Sequence, residues 1–295
     1  MPTLPPSARH DLTDAEWKLL EPLLPADSRV GRPRTWSLRG LTNAIFFRIR
    51  TGCPWRDLPE RYGPWWRAYD LFVRLHKHGV WHAIHTQLLA QAQQAGSLGW
   101  DVSVDSTTCR GHVHAAGARA DSSARHPDEP ADHGFGRSRG GWSTKLHVAT
   151  DPGCGVLSFA ITPGQAGDSP QMVPVLERIR VPQPGRGRPR SRPVRVLADK
   201  TYSSRANRAW LRARKIRATI SQPSDQVNHR KRRGFSGGRP PAFDAEVYKR
   251  RNVVERGINL LKQYRGCATR YDKLGVHYSA TVEVASIRRW LKRLS

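Results

Sequence analysis

The spacing of apolar residues changes near residue 99, and this change limits the folds that the chain can adopt. The segment Leu12–Pro25 repeats leucines at helical intervals, whereas Val102–Asp105 alternates apolar and polar residues as a strand does. Strand and helix patterns then alternate toward the C-terminus. This order predicts an all-α region over residues 1–98 and an α/β domain, with a mixed sheet flanked by helices, over residues 99–295.

The N-terminal region has recognisable helix boundaries. Thr13–Glu16 (TDAE) has the sequence of a capping box, in which the threonine and glutamate side chains each accept from a free backbone N–H. Further helices are predicted over Ser37–Thr51, which Gly52 ends, and over Trp81–Gln94. Short helices joined by Gly and Pro turns are typical of a helix-turn-helix DNA-binding module, and also of an ordinary small helical bundle.

The region after residue 99 contains several predicted strands. Thr144–Thr150 and Val156–Thr162 flank the turn sequence DPGCG and predict a hairpin. Val194–Asp199 and Ile216–Ile220 predict two more strands. Between them, Pro182–Pro193 (PQPGRGRPRSRP) predicts a flexible linker, or alternatively an arginine arm that enters the DNA minor groove through its RGRP stretch.

The charge of the chain points to a polyanionic partner. It has 50 Lys and Arg residues against 24 Asp and Glu residues, a net charge of +26. Nucleic acid is the partner that such a balance favours, because each neutralised phosphate releases counterions. A GC-rich gene is the alternative source of the arginines. With no apolar segment long enough for a membrane and four cysteines far apart, we expect a cytoplasmic, nucleoid-associated protein with no membrane partner.

Four polar residues near the C-terminus have a spacing that suits one face of a helix. Tyr248, Arg251, Glu255 and Lys262 fall within about 60° of one another on a helical projection. A single helix with this pattern would present all four side chains along the edge of a cleft. The alternative is an amphipathic surface helix stabilised by salt bridges.

Two aspartates at predicted strand ends complement this helix. Asp105 and Asp199 each follow an apolar strand, and Glu255 lies on the later helix. Hard divalent cations bind carboxylate oxygens that converge from separate elements. Two such cations activate the attacking oxygen and stabilise the leaving oxygen in phosphodiester displacement. The order Asp, Asp, Glu therefore predicts a metal-dependent site for phosphodiester chemistry.

Three other aspartates have positions that structural roles explain better. Asp101 lies near the start of its strand, Asp151 opens the hairpin turn, and Asp168 precedes a helix as a cap.

The chain resembles the DDE transposases of bacterial insertion sequences, specifically the IS-five type with a ribonuclease-H-like catalytic core. The resemblance extends over nearly the whole sequence. It is carried by the following segments: LTDAEWKLLEPLLP (12–25), RTGCPWRDLPERYGPW (50–65), VDSTTCRGHVHAAGAR (104–119), GRSRGGWSTKLHVATD (136–151), LADKTYSS (197–204) and the Tyr248–Lys262 motif.

This resemblance implies specific roles for the residues of the site. Asp105, Asp199 and Glu255 would be the catalytic acids and the ligands of Mg²⁺, for which Mn²⁺ would be able to substitute. Arg251 and Lys262 would contact DNA phosphates, and Tyr248 would position the strand. The partners would be double-stranded DNA, as terminal inverted repeats and as target, and a second copy of the chain in a homodimer.

The resemblance also implies a reaction: cleavage of donor DNA at the element's ends, followed by transfer of the 3′-hydroxyl ends to target DNA. Two alternatives remain open on the sequence. One is a nuclease of the same fold, and the other is a DNA-binding regulator without catalysis.

Overall fold

The computed structural model describes residues 9–25, 35–117, 128–183, 185 and 187–295. Its N-terminal region is helical, as predicted. Arg186 of the RGRP stretch lies outside the described residues. The four long helices of this region are α1 (Asp14–Leu20), α2 (Leu38–Thr51), α3 (Trp65–Lys77) and α4 (Val80–Gln94).

The predicted helix boundaries of this region are confirmed at α1 and α2. The Thr13 hydroxyl accepts from the Glu16 N–H at 3.2 Å, and the Glu16 carboxylate accepts from the Thr13 N–H at 2.8 Å. Ser37 is the N-cap of α2 and accepts from the Gly40 N–H. Gly52 ends α2 with a φ of +71°, in the left-handed region that glycine adopts without a steric penalty.

The second region contains a seven-stranded mixed sheet. Its main strands lie side by side in the order β4-β3-β1-β5-β6. Strand β3 runs antiparallel to β1 and β4, whereas β5 runs parallel to β1 and β6. This is the arrangement of the ribonuclease-H-like core that the resemblance implied. The strands are β1 (Asp101–Gly111), β2 (Gly136–Ser138), β3 (Gly141–Thr150), β4 (Val156–Pro163), β5 (Arg195–Ala198), β6 (Arg217–Ile220) and β7 (Thr269–Arg270).

Helices cover the sheet and connect its strands. Helix α6 packs on β3 and β4, α7 packs on β6, and α10 packs on β1 and β3. The helices of this region are α5 (Val113–Ala116), α6 (Met172–Glu177), α7 (Arg205–Ala213), α8 (Ser224–Arg232), α9 (Ala245–Lys249), α10 (Asn252–Lys262), α11 (Arg265–Ala268) and α12 (Gly275–Leu294).

The last helix, α12, joins the two regions. It packs against α2 and α4 on one side and against β4 on the other. The Trp290 indole is fully buried and donates to the Val156 carbonyl at 2.8 Å. Arg288 pairs with Glu16 of the capping box at 3.0 Å. The apolar stripe of α12 therefore belongs to a core that the helical region and the sheet share.

None of the helices formed by the described residues combines the length and the hydropathy that crossing a bilayer requires.

Candidate active site

Two of the predicted acids come together because β1 and β5 are parallel neighbours. Val104 of β1 pairs with Ala198 of β5 in the register of the sheet, and both side chains are fully buried. Asp105 follows Val104 on β1, and Asp199 directly follows the last residue of β5. Adjacent strands lie about 4.8 Å apart. The buried pair therefore sets two carboxylates side by side where β5 ends.

The third acid approaches from α10 and is linked to the first by an arginine. The Arg251 guanidinium lies 3.2 Å from the Asp105 carboxylate and 2.5 Å from the Glu255 carboxylate. Arg251 and Glu255 are four residues apart, the spacing of neighbours on a helix surface. A single guanidinium thus connects Asp105 of the sheet with Glu255 of the helix.

The electrostatics of Asp105 show that the acids repel one another. Burial raises the pKa of the Asp105 carboxyl above its ordinary value; Glu255 and Asp199 add to this, while the Ser106 N–H and Arg251 oppose it. A carboxylate that is partly buried among like charges is stabilised by a nearby cation. Arg251 partly supplies that charge.

Asp199 also organises its own turn. It precedes a short 3-10 turn, Lys200–Tyr202, and its carboxylate accepts from the Lys200 N–H and from the Thr201 hydroxyl. These bonds fix the side chain at the end of β5.

The three carboxylates fit a divalent cation by their chemistry, since Mg²⁺ and Mn²⁺ prefer oxygen ligands. Within the described part of the chain, no group of three His, Cys, Asp or Glu side chains is close enough to enclose an ion. The Arg251 guanidinium bridges Asp105 and Glu255 instead. Direct coordination by all three acids therefore requires Arg251 to give up at least one of these contacts.

The Tyr248–Lys262 motif lies on two helices rather than on the predicted single one. Tyr248 belongs to α9 and Glu255 to α10. Around Arg251 the backbone bonds shorten to a three-residue spacing, from Arg251 N–H to Tyr248 and from Val254 N–H to Arg251, which tightens the turn. The predicted single helix is therefore interrupted at Arg251, between Tyr248 and Glu255.

The outer two residues of the motif contact the strands and loops beside the acids. The Tyr248 hydroxyl lies 3.1 Å from the Ser221 hydroxyl, and its ring lies 5.9 Å from the Arg251 guanidinium. The Lys262 ammonium donates to the Thr108 carbonyl of β1 at 3.2 Å. Tyr248, Arg251 and Lys262 therefore border the acids on the helical side.

Comparison with known families identifies the chain. Residues 97–277 match the family model described as "Transposase DDE domain", and residues 12–85 match the model "Putative transposase of IS4/5 family". The chain belongs to the DDE transposase family.

The chain is also similar to individual proteins. The transposase is 30% identical over 150 residues to the "Putative transposase for insertion sequence element IS6501" of Brucella ovis, covering 51% of this chain and 99% of that one. It is 34% identical over 117 residues to "Uncharacterized protein y4sN" of Sinorhizobium fredii, covering 39% of this chain and 89% of that one. The catalytic domain of the Mos1 mariner transposase aligns with 13% identity and a TM-score of 0.23, covering 66% of this chain and 92% of that one.

A further carboxylate of the transposase, Asp168, lies behind Asp105. The sequence interpretation of Asp168 as a cap is wrong, because its side chain makes no capping bond although it precedes a 3-10 turn. Its carboxylate instead accepts from the Ser106 hydroxyl at 2.7 Å and from the Lys145 ammonium at 3.0 Å. One sequence signal for this contact was available. Lys145 and His147 are two residues apart on a strand, so both side chains lie on one face of the sheet, where an acidic partner is expected.

Two titratable side chains complete this layer behind the acids. His147 is buried and lies 2.8 Å from the Thr162 hydroxyl; burial lowers its pKa to about 4, against the opposing effect of Asp168. Burial also raises the pKa of the buried Tyr202 hydroxyl, and Asp105 and Asp168 raise it further. His147 is therefore neutral and Tyr202 protonated at neutral pH.

The structural roles predicted for the other two aspartates are confirmed. Asp101 is the first residue of β1. Asp151 is buried in the hairpin turn, where it accepts from the Gly155 N–H at 2.7 Å and pairs with Arg293 at 2.8 Å.

Proposed function

We propose that the transposase cleaves donor DNA at the ends of an insertion sequence and transfers the freed 3′-hydroxyl ends to target DNA. Asp105, Asp199 and Glu255 are the catalytic acids in this proposal. The observation that carries it is the in-register placement of the two aspartates, with Arg251 connecting Asp105 to Glu255. These contacts link Asp105 to both of the other segments, to Asp199 through the strand register and to Glu255 through Arg251.

The three acids would hold Mg²⁺, with Mn²⁺ able to substitute. The bound metal would activate the attacking oxygen and stabilise the leaving oxygen of a phosphodiester. Burial raises the pKa of Asp105, and the charges of Glu255 and Asp199 raise it further. This supports the assignment, because a cation beside the carboxylates would stabilise their charged form. Arg251 would exchange a carboxylate for a phosphate when metal and DNA are present, since a guanidinium forms bidentate pairs with both anions.

The neighbouring side chains would hold the DNA strand at the acids. Lys262 borders Thr108 on the same strand as Asp105, so its ammonium lies within reach of a backbone that runs along β1. The Tyr248 ring offers a face on which an unpaired base can stack. Together with Arg251, these residues would place a phosphate against the acids.

The partners in this proposal are the terminal inverted repeats and target DNA. Residues 1–98 would bind the repeats, and residues 99–295 would perform the chemistry. Because two ends are joined in one event, a homodimer would bring them together. A protein with these partners would be associated with the nucleoid.

The proposal is tested by Asp105→Asn, which keeps the shape of the side chain and removes its charge. We expect DNA cleavage in Mg²⁺ to be lost while binding to a terminal-repeat duplex stays within about twofold of wild type. Asp101→Asn, on the same strand, is the matched control and should cleave normally. Normal cleavage by Asp105→Asn would overturn the assignment.

A strand-joining assay separates transposition from the alternatives. A labelled, pre-cleaved end is incubated with plasmid target in Mg²⁺. Joined products are expected from the wild type and absent from Asp105→Asn. Cleavage without joining would indicate a nuclease of the same fold. Binding without cleavage would indicate a non-catalytic regulator.

A further inference from the structure

A basic cleft opens at the end of β5 opposite to Asp199. It is formed by the strap Arg188–Val194, the last turn of α6, the last turn of α7 and the start of β6, and it has a volume of about 950 Å³. Asp199 follows the other end of the four-residue strand β5. At about 3.3 Å per residue, the cleft and the acids are roughly 13 Å or more apart. The cleft is therefore distinct from the candidate active site.

The lining of the cleft has a strong excess of positive charge. Among its described residues, seven side chains are cationic and one, Glu177, is a carboxylate. Glu177 pairs with Arg214 at 3.3 Å, and no other cation of the described lining has an ion pair. Like charges gathered in a concave surface attract an anionic ligand more strongly than scattered surface charges do.

Two of the arginines are held in place by stacking on indole rings. The Arg190 guanidinium lies 3.9 Å from the centre of the Trp100 ring, and that of Arg214 lies 4.0 Å from the centre of the Trp210 ring. Stacking holds one face of a guanidinium and leaves its in-plane N–H groups free for oxygen acceptors. Both arginines therefore present donors in fixed directions, although one N–H group of Arg214 is bonded to Glu177.

The strap itself is anchored where it carries Arg190. The backbones of Arg190 and Val181 exchange two hydrogen bonds, of 2.8 and 2.9 Å. Burial lowers the pKa of Arg190 below its ordinary value, and the charge of Arg192 lowers it further. An anion in the cleft would relieve this repulsion. The sequence prediction of a flexible linker therefore does not describe the part of the strap around Arg190.

We propose that this cleft binds the phosphodiester backbone of duplex DNA independently of sequence. The inference rests on the proposed function, in which DNA is the substrate. Guanidinium groups bind phosphate oxygens in a bidentate manner, and contacts to phosphates fix the position of a duplex without reading its sequence. The backbone comes either from the continuation of the duplex cleaved at the acids or from a second duplex.

The test removes charge from exposed cleft residues that are not stacked. The variant Arg188→Gln/Arg192→Gln/Arg217→Gln is compared with Arg137→Gln/Arg139→Gln/Lys77→Gln, which removes three exposed charges outside the cleft. Fluorescence anisotropy measures the Kd for a random-sequence duplex over a range of salt concentrations. We expect the cleft variant to bind at least about tenfold more weakly and its salt dependence to fall by about 2 to 3 in slope. An unchanged Kd and slope, or an equal loss in the control variant, would overturn the proposal.

The length of the DNA shows whether the cleft binds the cleaved duplex or a second duplex. If the cleft binds the cleaved duplex, lengthening that duplex tightens binding to the wild type but not to the cleft variant. If it binds a second duplex, the defect is confined to strand joining in trans. Cleavage of a short duplex end should remain at the wild-type rate in both cases. If the wild type does not cleave DNA at all, the proposed function is wrong, whereas the measured Kd values still test the cleft.

Discussion

The two ends of β5 differ in charge: acidic side chains lie at one end and arginines at the other. At one end, Asp199 lies beside Asp105, and both side chains are partly buried. At the other, the strap and β6 bring together arginines that are mostly exposed and have few acidic partners. A protein with a net charge of +26 therefore does not distribute that charge evenly. Each end has only a partial counter-charge, Arg251 at the acids and Glu177 at the arginines. A cation would therefore stabilise the acid end and a phosphate the basic end, as the two proposals require.

The largest expected effect concerns the acid end. Glu255→Gln should lower the rate of DNA cleavage by about 1000-fold or more, because metal stabilisation of the transition state contributes several kcal/mol. Glu246→Gln, an exposed glutamate on the preceding helix, is the matched control and should cleave as the wild type does. Equal rates for the two variants would show that α10 contributes no acid to the site.

A pH effect is expected from the layer behind the acids. The pKa of His147 is lowered from 6.5 to about 4 in the folded protein, so the unfolded chain binds its proton first as pH falls. Between about pH 6.5 and 4 the folded state should lose up to roughly 3 kcal/mol of stability relative to the unfolded state.

Denaturant unfolding in the presence of a chelator measures this effect. His147→Gln should remove most of the extra loss at low pH, whereas His78→Gln, at an exposed position, should behave as the wild type does. Parallel pH profiles for wild type and His147→Gln would contradict the assignment of a neutral, buried His147.

A smaller effect is expected at Asp168. Asp168→Asn should reduce kcat by about 10- to 100-fold with little change in DNA affinity, because residues that orient a metal ligand have effects of that size. Its carboxylate bonds Ser106, the neighbour of Asp105. The Mn²⁺ affinity should fall in parallel with kcat. A normal kcat would mean that the Asp168 network only supports the fold.

The smallest effect concerns the basic end. Trp210→Leu should weaken binding of random duplex DNA by about two- to fivefold, because a cation–π contact contributes about 0.5–1 kcal/mol at an exposed site. Trp142→Leu, another partly exposed tryptophan, is the control. A larger loss in the control would indicate that indole stacking of Arg214 does not organise the cleft.

Local sequence signals predicted the framework of both ends. The TDAE capping box, the DPGCG hairpin and the alternation before Asp105 each depend on residues that are neighbours in sequence, and all three are present. The strand pattern also placed Asp199 at the end of its strand. Such features need only local backbone geometry, which residue type and spacing specify.

Contacts between distant segments were not predictable in the same way. The residues next to Asp168 in sequence predict a helix cap, but its actual partners, Ser106 and Lys145, lie on two strands elsewhere in the chain. The strap reads as a linker because its anchor residues, Val181 and Trp100, are not near Arg190 in sequence. The register of β1 and β5 places the acids side by side, and register depends on the whole sheet.

The most direct test of the central claim is a titration with Mn²⁺ followed by electron paramagnetic resonance. The full chain, bound to a terminal-repeat duplex, is compared with Asp105→Asn, Asp199→Asn and Glu255→Gln, and with Asp101→Asn as control. Wild type and Asp101→Asn should remove Mn²⁺ from solution, and each of the other three variants should bind it at least about tenfold more weakly. Equal Mn²⁺ binding by all five proteins would show that Asp105, Asp199 and Glu255 do not form a metal site.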